Sequence, residues 1–183
     1  QNAPNPPECD RKGGPLQWEP LLYACYSRMD DGAVGRSTVD VARLLLARGA
    51  DPNAGFLWNG SYALTTLTGA FGRGEDNMTE LAHPHAQELA RLLLDGGADP
   101  NDSQTLYNRH FEESDDHLIL LFEYGLGRES SGPWLKRTGD RSWLGSPSTL
   151  LIQELCWAAM HNFPKRVQLL VEHGVDVNAG SPR

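Results

Sequence analysis

The chain has 183 residues, 39% hydrophobic and 22% charged, with a formal net charge of −8, a composition that suits a folded chain and not a disordered one. Its acidity excludes general affinity for nucleic acid or anionic lipid, which calls for a basic face, and leaves basic protein surfaces as partners. No apolar run approaches the roughly 20 residues that span a bilayer, and three widely spaced cysteines, Cys9, Cys25 and Cys156, point to a reducing compartment, the cytoplasm, instead of a disulfide framework.

Residues 1–17 are rich in proline, glycine and polar types and read as irregular structure. Gln1 has no methionine before it, which leaves open that the chain is a fragment of a longer protein. The first helix is expected to begin within Trp18-Glu19-Pro20-Leu21-Leu22-Tyr23-Ala24-Cys25, with proline where a first turn tolerates it. Residues 29–35 hold two glycines and two aspartates and read as a loop. Ser37 or Thr38 then caps a second helix, with Asp40 near its positive end. Val41, Leu44 and Leu45 form the stripe expected to face the core.

That second helix ends in a phrase that recurs. Residues 42–53 read Ala-Arg-Leu-Leu-Leu-Ala-Arg-Gly-Ala-Asp-Pro-Asn, residues 90–101 repeat it almost unchanged, and residues 167–178 carry a looser copy. Each copy reads as the end of an amphipathic helix closed by a left-handed glycine. The Asp-x-Asn that follows favours a turn, because these side chains bond their own backbone. Between the first two copies, Asn59-Gly60 predicts a hairpin turn and leaves Phe56, Trp58 and Tyr62 either exposed or packed on themselves.

These residues resemble the ankyrin repeat family, whose helix–turn–helix unit opens with Thr-Pro-Leu-His-x-Ala and closes with Leu-Leu-x-x-Gly-Ala-Asp-x-Asn. Residues 19–24 are a partial copy of the opening, with Glu19 for the threonine and Leu22 for the histidine, and residues 45–53 are a full copy of the close. A second unit opens weakly at 65–70 and closes at Asn101. A third, opening at 104–109 and closing at 120–127, is degenerate: Arg109 stands where a small alanine is usual, and Gly127 replaces the turn aspartate. A fourth opens at 153–159 and runs to Asn178. The resemblance implies an all-α, ankyrin-type helical repeat solenoid with long inserted loops over residues 18–183, in units near 18–53, 62–101, 104–129 and 152–178.

The enlarged stretches are 29–36, 74–85 and 129–152, and long ordered loops are often functional; only Asp102 and Ser103 join the second unit to the third. In the connection 130–144, Trp134 and Trp143 interleave with Lys136, Arg137 and Arg141, residue types that anchor interfaces; the alternative is that the tryptophans fold the loop onto its scaffold. The family resemblance implies a finger hairpin beside a groove lined by the first helices, where Tyr23, Tyr26, Tyr107, Trp157 and His161 would lie. The expected partner is another protein, with no nucleic acid and no membrane. The alternative is that the chain is the substrate-docking or regulatory part of a larger enzyme.

Nothing positive points to catalysis in the chain itself. It has no Gly-x-x-x-x-Gly-Lys phosphate loop, no Gly-x-Ser-x-Gly elbow and no Cys-x-x-Cys pair. His83-Pro84-His85 reads as a solvated loop before a helix starting near Ala86. The cluster of His110, Glu112, Glu113, Asp115, Asp116 and His117 lacks the glycine-centred calcium loop and reads as a hydrated surface. No metal and no cofactor are expected.

Overall fold

The computed structural model describes residues 16–29, 37–58, 60–74, 80–128, 132–134 and 146–180. In chain order the elements are α1 (Pro20–Tyr26), α2 (Thr38–Ala47), β1 (Gly55–Trp58), β2 (Tyr62–Thr65), α3 (Thr66–Phe71), α4 (Ala86–Asp95), α5 (Ser103–Arg109), α6 (Asp116–Glu123), α7 (Pro147–Met160) and α8 (Pro164–Glu172). The chain is therefore mainly helical, but the expectation of an all-α fold needs correction: β1 and β2 pair antiparallel, with Trp58 opposite Tyr62 and Gly55 opposite Thr65. Gly60 at the turn has φ +72°, the conformation for which a glycine is favoured there.

Pro20 sits in the first turn of α1 as its missing N–H allows. Of the two candidate caps of α2, Ser37 accepts the Asp40 N–H at 3.1 Å. Of the expected stripe on α2 only Leu45 packs against the core; Val41 and Leu44 are exposed, at 49% and 58%, while Val39 and Ala42 are buried. Leucines occupy three successive positions at the end of this helix, so periodicity alone left its inner face ambiguous. Packing against α1 resolves it in favour of Val39 and Ala42.

The first helices of successive pairs touch in a row, α1 on α3, α3 on α5 and α5 on α7, while α2 packs on α1 and α4, α4 on α3, and α8 on α7. One continuous core of buried residues runs the length of this arrangement, from Leu21 and Ala42 through Leu67, Leu93 and Leu106 to Leu121, Leu150 and Leu170. Helices of six to ten residues, such as α1 to α6, are marginal alone and depend on that shared burial.

Four helices end alike. The N–H of Ala50, Ala98, Leu126 and Val175 each returns to the carbonyl of Leu45, Leu93, Leu121 and Leu170, at 3.0–3.1 Å, across glycines 49, 97, 125 and 174 with φ between +84° and +99°. This is the left-handed helix close. It persists in the third pair, where the sequence phrase has decayed. Asp51, Asp99 and Asp176 each accept the N–H two residues on, at 2.8–3.0 Å.

Two asparagines stitch one turn to the next. Asn53 accepts the Asp99 N–H at 2.8 Å and donates to the Gly97 carbonyl at 3.0 Å. Asn101 accepts the Gly127 N–H at 2.9 Å. Asp102, which the sequence presents as a mere connector, is buried; its carboxylate receives the Thr105 N–H at 2.7 Å and the hydroxyls of Thr65 and Thr68. It thereby caps α5 and ties it to the start of α3, itself closed by a Thr65–Thr68 capping box.

Gly127 shows why the third close departs from the phrase. Its φ is +82° and a Cβ there would lie 2.3 Å from Leu151 Cδ1. Restoring a side chain with Gly127→Ala is expected to lower stability by about 1–3 kcal/mol. Chemical denaturation checks this, and a rise in stability would show that Leu151 yields freely.

Candidate binding face

The hairpin is rooted in α1. Phe56 stacks on Trp18 at 4.7 Å between centroids and 25° between planes, and Trp18 also meets Tyr23 and Tyr26 at 5.6 and 5.0 Å. Trp18, Leu22 and Ala54 form a second small core on which Phe56 and both tyrosines pack. Phe56 therefore faces inward. Trp58 and Tyr62, directly opposite each other beyond it, are 42% and 41% exposed.

A second aromatic group gathers where α5 meets α7. Tyr107, Trp157 and His161, separate in sequence, come together around His110. Trp157 stacks on His110 at 4.2 Å, Tyr107 lies 5.9 Å from Trp157, and His161 lies 5.3 Å from His110. Trp157 is largely buried, whereas Tyr107 and His161 are half-buried. Phe111 belongs to the same group, 3.7 Å from the His110 ring and 45% exposed. The sequence reading missed Phe111; its position one residue after His110, just beyond a helix lined by Tyr107, was the available signal.

Trp134 is anchored to the scaffold. Its indole N–H donates to the Asn53 carbonyl at 2.8 Å, and its ring lies against Gly55, where a Cβ would come within 2.7 Å of it. The long connection between α6 and α7 thus reaches back to the root of the hairpin. Lys136, Arg137, Arg141 and Trp143 lie outside the described residues.

Under the second aromatic group is a buried charge network, and this corrects the reading of residues 110–117 as a hydrated surface. Arg166 of α8 is fully buried. Its Nε donates to Asp115 at 2.6 Å, one terminal nitrogen to Glu154 at 3.2 Å and the His110 carbonyl at 3.3 Å, the other to the carbonyls of Glu112 at 2.5 Å and Ser114 at 2.9 Å. All five N–H donors of the guanidinium are used. Arg109 occupies its unusual position because Asp116, 2.5 Å away, pairs with it. Burial pushes the Glu154 carboxyl up to about 8, against the pull of Arg166.

His117 is fully buried, and burial pushes its imidazole down to about 4; Asp116, at 3.9 Å, is too far for a hydrogen bond. His83 corrects a second expectation. It is buried, accepting the His85 N–H at 3.0 Å through Nδ1 and lying 2.6 Å from the Thr38 hydroxyl through Nε2. These bonds make it a bracket between α2 and the start of α4. Among the described residues no group of three His, Cys, Asp or Glu side chains could hold a metal ion, and no helix is long and apolar enough to cross a membrane.

The ankyrin repeat family model matches residues 17–55, which span α1, α2 and the first residue of β1. The chain carries an ankyrin repeat, a module that in general mediates interactions between proteins. No curated protein and no solved structure matches the chain.

Two outcomes follow from the buried charges. Arg166→Ala leaves Asp115 and three turn carbonyls without their donor and is expected to cost about 3–5 kcal/mol. Equilibrium unfolding measures it, and a cost below about 1 kcal/mol would show that water replaces the guanidinium. His117 contributes stability that is complete above its ordinary value near 6.5 and is lost as pH falls from there toward about 4. His117→Phe should therefore flatten the loss of melting temperature across that acid window, and an unchanged slope would place the titration elsewhere.

Proposed function

We propose that the chain is an ankyrin-type helical repeat array of four units that binds another protein through the face formed by its first helices and the β1–β2 hairpin. What supports the repeat count is the common helix close at glycines 49, 97, 125 and 174. The family match covers only the first of these units. What supports the binding face is the division of labour among the aromatics. Trp18, Phe56 and Trp134 are engaged with their own scaffold. Trp58 and Tyr62 project from a rooted two-stranded hairpin as an exposed pair, and exposed, rigidly held aromatic rings are the residues that anchor interfaces at low ordering cost.

On this reading the outward pair is the first anchor. The group of Tyr107, Phe111, Trp157 and His161 is the second, at the other end of the row of first helices. The net charge of −8 favours a partner with a basic surface, drawn in by long-range attraction. The function needs no catalytic group in this chain, and no cofactor or metal enters it.

The single observation carrying this is the exposure of Trp58 and Tyr62 side by side. Trp58→Ala with Tyr62→Ala should leave the melting temperature within about 2 °C, because neither ring is buried. The double variant should weaken binding to a partner captured with the unaltered protein by about 2 kcal/mol or more, roughly thirtyfold. Titration calorimetry with that purified partner is the measurement. Undiminished affinity in the folded double variant would remove the hairpin from the interface.

A further inference from the structure

The Arg166 network holds one cation and two carboxylates in or close to the interior. Glu154 is fully buried, Asp115 is 15% exposed, and both point at the same guanidinium. Arg166 has no donor left: one N–H goes to Asp115, one to Glu154 and three to the carbonyls of the turn between α5 and α6. Glu154 Oε2 is buried and meets no hydrogen-bond partner among the described residues. A charged Glu154 would leave the network with one excess negative charge and an oxygen with no donor to receive, a costly state away from water. With a proton on its carboxyl the charges close: Arg166 and Asp115 balance, Glu154 Oε1 still accepts from Arg166, and Oε2 carries an unpaired O–H, a smaller cost than an unpaired carboxylate charge.

We propose that Glu154 is a proton-controlled latch. Protonated, it lets Arg166 lock α7 and α8 onto the α5–α6 turn; on losing its proton it loosens that turn and the aromatic group built on it. The link to the aromatics is direct. The His110 carbonyl is one of the Arg166 acceptors, and the His110 ring lies between Trp157 and Phe111, with Tyr107 and His161 around it. That this regulates partner binding rests on the function proposed above, whereas the latch itself does not.

The groups that face the network come from every element around it. Besides Arg166 of α8 and Asp115 of the turn, His117 of α6 senses Arg166, Arg109 and Asp116. His110 senses His161 and Arg166, and burial lowers its own proton affinity. His117 is discharged above about 4, so it does not titrate where Glu154, raised to about 8, does. For Glu154 the sign is opposite to that of His117. The native state holds its proton more tightly than the unfolded chain, so stability falls as pH rises from the ordinary glutamate range to about 8 and then levels. Between pH 6.5 and 8 the two effects separate.

The test is amide exchange by mass spectrometry on the free protein, comparing the unaltered chain with Glu154→Gln at pH 6 and at pH 9. Comparison at equal pH removes the intrinsic base dependence of exchange. Segments 110–116 and 154–170 should exchange about tenfold faster in the unaltered chain at pH 9 and equally at pH 6, while segment 86–95 shows no difference at either pH. The same ratio at both pH values overturns the latch. Asp115→Asn is the second arm: with one carboxylate fewer on Arg166, Glu154 ionises more easily, so the transition moves to lower pH. An unmoved midpoint also overturns the proposal. Because neither measurement involves a partner, failure of the binding reading leaves them intact. If both stand, the partner's affinity falls from pH 6 to 9 in the unaltered chain and not in Glu154→Gln.

Discussion

A buried guanidinium with every donor occupied is the constraint on which the C-terminal half of this structure rests. Arg166 lies on the first turn of α8, yet three of its five bonds go to backbone carbonyls of the turn after α5. Those carbonyls sit in a short irregular segment with no helix to satisfy them. A buried carbonyl without a partner costs a large part of a hydrogen bond's strength. The arginine therefore determines where the turn can go, and the turn determines where α5 and α6 diverge. Placing that charge inside is possible only because Asp115 balances it and Glu154 closes the remaining donor.

The same logic recurs in milder form along the chain. The helices are short, and pairwise burial of leucine and alanine gives them attraction but little orientation. Orientation comes from polar stitches between successive pairs. Asn53 reaches forward to the second turn and Asn101 to the third. Asp102 binds the caps of α3 and α5 together. Arg28, at the end of α1, donates to the carbonyls of Cys25, Ser27, Gly69 and Leu81, joining the first pair to the second. Each stitch pairs backbone or carboxylate groups of different helix pairs with directional bonds, so each favours one relative placement of its neighbours.

Aromatic residues divide along the same line. Trp18, Phe56, Trp134 and Trp157 have ring or hydrogen-bond partners that use them as structure. Of the rings left outward, Trp58 and Tyr62 sit on paired strands, and Phe111 lies against Tyr107, His110 and His161. A binding surface assembled this way is ordered before a partner arrives, which limits the conformational entropy lost on association.

The helix closes were legible without coordinates, because a left-handed glycine followed by an aspartate that bonds its own backbone is a local arrangement, written in adjacent residues and recurring at 49–53, 97–101 and 174–178. The hairpin turn at Gly60 was legible for the same reason, as was the start of α4 at Ala86. The pairings were not. Nothing local distinguishes Val41 from Val39 in a helix rich in leucine, and its buried face was settled by contact with α1. Nothing local marks Arg166 for burial; His83 reads as a solvated loop residue, Asp115 as part of a hydrated surface, and Trp134 as either an interface anchor or a ring folded onto its scaffold. Each acquires its role from groups 45 to 81 positions away. Local conformation follows from neighbouring residues through backbone sterics and self-bonding, whereas burial, charge balance and the direction of an aromatic ring depend on segments brought together by folding. That is why the repeat could be read from the residues, while the division between scaffold and surface required the packed chain.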